Sequence, residues 1–510
     1  MSRIDRFLCK TGGILLLVGF LFLHPCKAQQ NATSPNILII LADDLGYGDL
    51  QCYNPNSLVP TPHLDKLASE GIRLTDAYCP VAVCTPTRYG LMTGEYSWRS
   101  WKKSGVMTNY EPSLIDAEQL TLPEMLQQAG YTTAGFGKWH LGTTFPTVDG
   151  EKPAGYGKFR ADDNGANLDL SQPVTDGPLD HGFDHWLGFS CASECWILEG
   201  NNVMGAIQHD LYTIEAASDT DHLQLIPLED YLPFITEKSL HFLQQHAAAQ
   251  REQPFFLYFA PYVPHIPLAV SKEFRGSTEA GQYGDYVHEL DHCIGKILNT
   301  LDSLKLTENT IVLFASDNGS QFSVTSNEMD LSNASNDPVS NAERNLDDHV
   351  HHPNGPLRGT KWTAWEGGVR TPLIARWPGR FPSGAESSQL FSLTDVMATV
   401  ASVIGYKLPD HAGVDSYDLL PVLMGKEKNI RKSVVVQSNK NVFGLRQGKW
   451  KYIGAGDDQP ENPGDPEGEL YDLSNDESET VNLYLKDPKV AQKMERELQK
   501  ILNSSRSAVK

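Results

Sequence analysis

Short unbroken apolar runs, several of them ending in charged or amide residues, set the pattern of this chain. Asn36–Leu41 leads into Ala42-Asp43-Asp44-Leu45-Gly46, and Tyr131–Phe136 into Gly137-Lys138-Trp139-His140-Leu141-Gly142. Pro254–Ala260 leads into Pro261-Tyr262-Val263-Pro264-His265-Ile266-Pro267, and Thr310–Ala315 into Ser316-Asp317-Asn318-Gly319. Continuous apolarity over so few residues predicts strands buried on both faces, in a sheet covered by helices. Helices are predicted over His63–Gly71, Leu122–Gly130, Leu232–Ala249, Tyr283–Leu304 and Leu393–Ile404, with further extended segments at Arg73–Ala77 and Thr371–Arg376. The polar stretches Thr143–Asp230 and Gln321–Gly355 are predicted to be surface loops that build little core. Beyond Lys426 the pattern changes: Ser433–Gln437, Phe443–Ile453 and Leu470–Leu473 predict antiparallel strands, and Lys489–Leu502 a final helix. The division expected is residues 1–28, 29–425 and 426–510.

Residues 1–28 have the pattern of an export signal. Arg3, Arg6 and Lys10 precede an apolar run from Gly12 to Leu23, and Cys26-Lys27-Ala28 places small residues where a signal peptidase reads. An acylated Cys26 is the weaker reading, because His24-Pro25 are poor residues before such a cysteine. No later stretch is apolar for long enough to span a bilayer, so the expectation is an exported periplasmic or secreted protein without stable membrane insertion. The formal charge of −22 becomes about −25 once those 28 residues are removed. Such a surface repels nucleic acid and anionic lipid, and an anionic substrate needs a local cationic pocket. Six cysteines remain: Cys52, Cys79, Cys84, Cys191, Cys195 and Cys293. They do not make a disulfide scaffold, although Cys191 and Cys195 could bridge.

Chemistry-bearing residues gather beyond the carboxyl ends of the predicted strands, where open α/β sheets place their sites. Asp43 and Asp44 are adjacent carboxylates that repel unless a cation or hydrogen bonds offset them. With Asp317 and Asn318 they form an all-oxygen set suited to calcium, or magnesium, rather than zinc. Lys138 and His140 can point to one side of an extended chain, and His265 is bracketed by prolines. Lys361 is delivered by Gly359-Thr360-Lys361-Trp362. Cys84-Thr85-Pro86-Thr87-Arg88 is the most distinctive stretch: Pro86 suits a first helical turn, which puts Cys84 at a helix N-terminus with Arg88 one turn on.

Cys84-x-Pro86-x-Arg88, followed by Leu91-x-Thr93-Gly94, resembles the signature of the formylglycine-dependent sulfatases, and Gly137–Gly142 resembles another segment of the same family. The resemblance runs from Asn36 to the C-terminal strands and is closest to the arylsulfatase A and N-acetylgalactosamine-6-sulfatase type. It implies an alkaline-phosphatase-like α/β fold: a large domain with a central mixed sheet flanked by helices, and a smaller C-terminal α+β domain with an antiparallel sheet. It also implies that Cys84 is oxidised to formylglycine by a maturation enzyme before export, and that the oxidised side chain joins Asp43, Asp44, Asp317 and Asn318 around the cation. Its hydrate would attack sulfur, with Arg88 stabilising its hydroxyls. Lys138 and Lys361 would neutralise the sulfate, His265 would protonate the leaving alcohol, and His140 would assist sulfate release. The implied substrate is a sulfated saccharide. His181, Arg344, His349, His351 and His352 are the candidates for reading the sugar, most of them from a Gln321–Gly355 loop expected to overhang the pocket. A phosphonate or phosphate monoester hydrolase, an inactive sulfoglycan-binding protein and a zinc hydrolase are the alternatives.

Overall fold

The computed structural model describes residues 34–508, apart from 160–162, 192–193, 211–222, 250–251, 330, 332–349, 427–428 and 456–466. The predicted export segment, Arg344 and His349 therefore lie outside the described residues. Ser34–Lys510 forms one compact unit.

Strands β1 (Asn36–Ala42), β2 (Ile72–Leu74), β3 (Ala77–Tyr78), β4 (Thr132–Gly137), β5 (His185–Phe189), β6 (Trp196–Glu199), β7 (Asn202–Gln208), β8 (Gln224–Pro227), β9 (Phe255–Ala260), β10 (Thr310–Ser316), β11 (Leu373–Arg376) and β12 (Ala385–Ser387) supply the large sheet, except for β3, which pairs with β13 (Phe391–Ser392). The order across its eleven strands is β12-β2-β11-β10-β1-β9-β4-β5-β6-β7-β8. The centre is parallel: β1 lies between β10 and β9, and β4 follows β9. β11 runs antiparallel to β10, which makes the sheet mixed.

Alternate residues of β1 enter opposite cores. Ile37, Ile39 and Leu41 pack on one face, with residues of α2 (Cys84–Thr93) and α3 (Leu122–Gln128). Leu38, Ile40 and Ala42 pack on the other, with residues of α1 (Pro62–Glu70), α4 (Leu228–Ala249) and α5 (Gly281–Ser303). Covering both faces is why the central strands are apolar at every position. β1 and β10 pair in step from Asn36↔Thr310 to Ala42↔Ser316, so the two acidic ends emerge side by side.

The C-terminal domain contains a four-stranded antiparallel sheet, β14 (Ser433–Gln437), β15 (Phe443–Gln447), β16 (Trp450–Ile453) and β17 (Glu469–Asp472). The predicted Phe443–Ile453 segment is thus a hairpin, turned at Gly448 with φ +59°. Val435, Leu445, Tyr452 and Leu470 pack against Ala491, Met494 and Leu498 of the final helix, Pro488–Leu502.

Two expectations are corrected. Thr143–Asp230 is not loop alone, because β5 to β8 extend the large sheet and bury Trp186, Leu187, Trp196, Ile197 and Ala206. Trp186 packs over Gly135 of β4, where a Cβ would lie 2.3 Å from the indole ring, so a glycine makes room for a core residue. Gln321–Gly355 also contributes core, through Phe322, Val324 and Leu331. Among the described residues no disulfide joins any of the six cysteines, so Cys191 and Cys195 do not bridge. No helix among the described residues is long and apolar enough to cross a membrane.

Candidate active site

Four strand ends and one helix start meet at a single buried cluster. β1 delivers Asp43 and Asp44, β4 delivers Lys138 and His140, β9 leads to His265, and β10 delivers Asp317 and Asn318. Cys84 is the first residue of α2, preceded by Val83 in extended conformation, and Gly94 closes the helix in the left-handed region at φ +68°. Thr85 Oγ1 donates to the His140 carbonyl at 3.0 Å and accepts from the Met107 N–H at 3.0 Å, which ties the helix start to the loop after β4.

The aspartates and the cations interlock. Lys138 Nζ donates to Asp43 Oδ2 at 2.6 Å, and Lys361 Nζ to Asp44 Oδ2 at 2.7 Å. Arg88 donates to Asp317 Oδ2 through Nε at 3.1 Å and Nη2 at 2.7 Å, and through Nη1 to the Lys138 carbonyl at 3.0 Å. Asn318 Nδ2 donates to Asp44 Oδ1 at 2.7 Å. Burial pushes the Asp43 carboxyl up, but Lys138, Arg88 and Lys361 together hold it well below the usual carboxylate range. Burial, reinforced by the neighbouring Asp43 charge, pushes Asp317 up to about 7, and burial also raises Asp44. Burial opposes the charges on Lys138 and Lys361 too, yet Asp43 and Asp44 raise both above the ordinary lysine range.

This arrangement fits a hard divalent cation. Oxygens of Asp43, Asp44 and Asp317 lie within 4.8 Å of one another. Asp43 Oδ1 and Asn318 Oδ1 are buried without a hydrogen-bond partner, a costly state that a cation relieves. The donors are all oxygen, which favours calcium or magnesium over zinc. Cys84 Sγ, a ring nitrogen of His265 and an Asp43 oxygen also lie within 4.8 Å of one another, which puts the thiol at the edge of the same cluster.

The histidines are held in defined states. His140 Nε2 lies 3.0 Å from the Met107 carbonyl, so it carries the hydrogen; Nδ1 is buried and unpartnered. His265 Nδ1 lies 2.5 Å from the Ile266 carbonyl, which leaves Nε2 as the reactive nitrogen, 3.7 Å from Asp44 Oδ2. Burial, with Lys138 for His140 and Lys361 for His265, keeps both rings neutral.

The sugar-reading candidates fare differently. His181 is buried against Ser113 Oγ at 3.0 Å and Asp176 at 3.3 Å. His351 is 1% exposed and bonded to Asp49. Both rings are buried and bonded to neighbouring side chains. His352 is half-buried. Sequence reasoning missed Tyr258, whose hydroxyl lies 3.4 Å from Arg88 Nη1, and the buried pair Asp49 and Tyr283 behind Asp44. Asp49 had a signal in its closeness to Asp43-Asp44; the tyrosines had none beyond burial.

Residues 35–406 match the sulfatase family model, and residues 360–508 match the model for the C-terminal part of N-sulphoglucosamine sulphohydrolase. The chain is 32% identical to an N-acetylgalactosamine-6-O-sulfatase of Bacteroides thetaiotaomicron, over 99% of each. It is 32% identical to arylsulfatase A of Homo sapiens, over 89% of this chain and 84% of that one. A solved structure from work on the metabolism of multiple glycosaminoglycans by Bacteroides thetaiotaomicron superimposes with a TM-score of 0.75 at 31% identity, over 93% of this chain and 100% of that one. Phosphonate monoester hydrolase of Agrobacterium radiobacter shares the fold, with a TM-score of 0.56 at 17% identity, over 92% and 95%.

Proposed function

Because the chain belongs to the sulfatase family, we propose that it is an exported enzyme that hydrolyses the sulfate ester of a sulfated glycan, with 6-sulfated N-acetylgalactosamine as the unit it recognises. The sugar follows from the N-acetylgalactosamine-6-O-sulfatase that the chain resembles along its whole length. The observation that carries the chemistry is the cluster itself: three buried carboxylates and an amide oxygen beside Cys84, faced by Lys138 and Lys361.

Calcium held by Asp43, Asp44, Asp317 and Asn318 would supply Lewis-acid activation, and formylglycine made from Cys84 by a maturation enzyme before export would supply the oxygen nucleophile. The chain's own groups do the rest. Lys138 and Lys361 are the two cations an incoming sulfate meets, and they stabilise charge as it shifts among the sulfate oxygens. Arg88 fixes Asp317 in one orientation through two donors to the same oxygen. His265 exchanges a proton with the leaving alcohol at Nε2, since Nδ1 is committed to Ile266. The negative charge of a bound sulfate offsets Lys138 and Lys361, two of the charges that hold His265 neutral, and so raises the proton affinity of Nε2. His140, neutral and with Nδ1 unpartnered, would accept the proton that must leave the nucleophile for sulfate to be released.

The test is turnover of the mature protein on defined mono-sulfated sugars, with a phosphonate monoester, phenyl phenylphosphonate, alongside. Faster cleavage of 6-sulfated N-acetylgalactosamine than of the 4-sulfate or the phosphonate is expected; preference for the phosphonate would overturn the reading. Mass spectrometry of the peptide containing residue 84 should show sulfur lost and oxygen gained, and Cys84→Ala should abolish turnover.

A further inference from the structure

Asp44 adopts φ +67°, a left-handed conformation that a non-glycine residue holds only when its surroundings impose it. What lies behind it is a second buried network, built on Asp49. Asp49 Oδ2 accepts from the Gly46 N–H at 2.7 Å and from the Tyr283 hydroxyl at 2.6 Å, and the same hydroxyl lies 3.3 Å from the Asp44 carbonyl. Asp49 Oδ1 accepts from His351 Nε2 at 2.7 Å. The tautomer follows from the other side of that ring, where the Leu58 N–H, which can only donate, lies 3.5 Å from Nδ1.

The chain around His351 reaches both halves of the cation-ligand set. Its backbone pairs with Thr325 at 2.8 and 2.9 Å. Two residues on, the Pro353 carbonyl accepts from the Gly48 N–H at 2.6 Å. Asn354 Oδ1 accepts from the Ser320 N–H at 2.9 Å, and its Nδ2 donates to the Ser320 carbonyl at 3.1 Å, two residues beyond Asn318. The fit is close: a Cβ on Gly46 would lie 2.1 Å from the Pro353 carbonyl oxygen, and one on Gly48 2.2 Å from the Gly355 nitrogen. Residues 351–354 thus hold the Asp43-Asp44 turn through Asp49, and the Asp317-Asn318 turn through Ser320.

We propose that Asp49, His351 and Tyr283 are positioning residues that fix the Asp43-Asp44 turn, and through it set the affinity of the cluster for its divalent cation. The proposal rests on the cation reading above. Ligands that must be held in a strained turn bind more weakly when the groups behind them are removed, typically by 10–100-fold. The assignment also gives His351 a role that its burial allows, in place of contact with sugar.

The experiment is a calorimetric titration of the full mature protein, stripped with a chelator, with calcium chloride. His351→Ala should weaken calcium binding by roughly 10–100-fold and Tyr283→Phe by several-fold, while His351→Gln, which keeps an N–H donor, should recover most of the affinity. Turnover by these variants should rise with added calcium while KM for the sulfated substrate stays near wild type. A purely structural role would lower the melting temperature yet leave the calcium affinity of the folded protein unchanged, which would overturn the proposal. If His351→Ala does not fold, Tyr283→Phe decides, since it deletes a single oxygen: an affinity within twofold of wild type refutes the clamp. Absence of calcium binding by the wild type would overturn the cation reading and this inference together, whereas failure in the variants alone leaves that reading in place.

Discussion

The two nitrogens of His265 are assigned different work by one backbone carbonyl. With Nδ1 committed to Ile266, proton transfer to substrate runs through Nε2 alone. Sugar alcohols leave with pKa values of about 12 to 16 and need that proton, whereas activated phenols do not. His265→Ala should therefore cost roughly 100-fold or more in kcat/KM on a sugar sulfate, and under about 10-fold on nitrophenyl sulfate. Equal losses on both would make His265 a sulfate-binding group instead. At this scale the sequence was informative wherever a side chain stands at a strand end beside glycine or a second acid, as Asp43, Asp44, Lys138 and Asp317 do. It was uninformative where the role depends on a partner far along the chain. His351 looked like a surface histidine in a polar loop, and only its contact with Asp49, 302 positions away, shows otherwise.

Among the elements, the apolar strands were legible because burial on both faces leaves an unbroken signature. β5 to β8 were not, since glycine and polar residues break their apolar pattern, as at Gly188, Glu199, Asn202 and Gln224, and they lie toward one end of the large sheet. α4 begins a turn earlier than its pattern predicted, with Pro233 inside it, so packing against its neighbours outweighs a local breaker. α5 carries a buried acid with a consequence for pH. Glu289 accepts the Ser271 N–H on Oε2 at 3.0 Å, while Oε1 is buried without a partner, and burial raises its carboxyl to about 7. A folded pKa above the unfolded value near 4.5 means that the protonated form stabilises the fold. That contribution is complete below about pH 4.5 and lost as the pH rises through about 7. The melting temperature of wild type minus that of Glu289→Gln should therefore fall between pH 4.5 and 8, by an amount equivalent to up to roughly 3 kcal/mol. A difference that is flat or rising over that range would show that Glu289 is ionised in the fold.

Across the whole molecule, the C-terminal sheet is joined to the large domain, at β3 and the segments beside it, by buried charge. Lys451 of β16 donates to Glu366 at 2.8 Å and lies 3.1 Å from Glu479, and the Tyr78 hydroxyl donates to Glu366 at 2.9 Å. Arg446 of β15 reaches Tyr78 at 3.1 Å and Asp76 at 3.2 Å. Parts joined this way should unfold together, so calorimetry is expected to give one endotherm for the mature chain; two well-separated transitions would show the C-terminal domain to be independent. Lys451→Met removes the cation that Glu366 and Glu479 share, leaving Glu366 with Arg370 at 3.6 Å and Glu479 without its cation, and should destabilise by about 3–5 kcal/mol. The in-step pairing of β1 with β10 bears on how this sequence can change over time. Side chains alternate faces at every residue along a strand. One residue gained or lost between Asn36 and Asp43, or between Thr310 and Asp317, would turn an aspartate away from its neighbours and shift it by about 3.3 Å. A substitution within either strand alters packing by degrees, but such an insertion or deletion dismantles the ligand set at a stroke. Length variation among descendants of this chain should therefore collect in the connecting segments, while the spacing from strand start to acid stays constant.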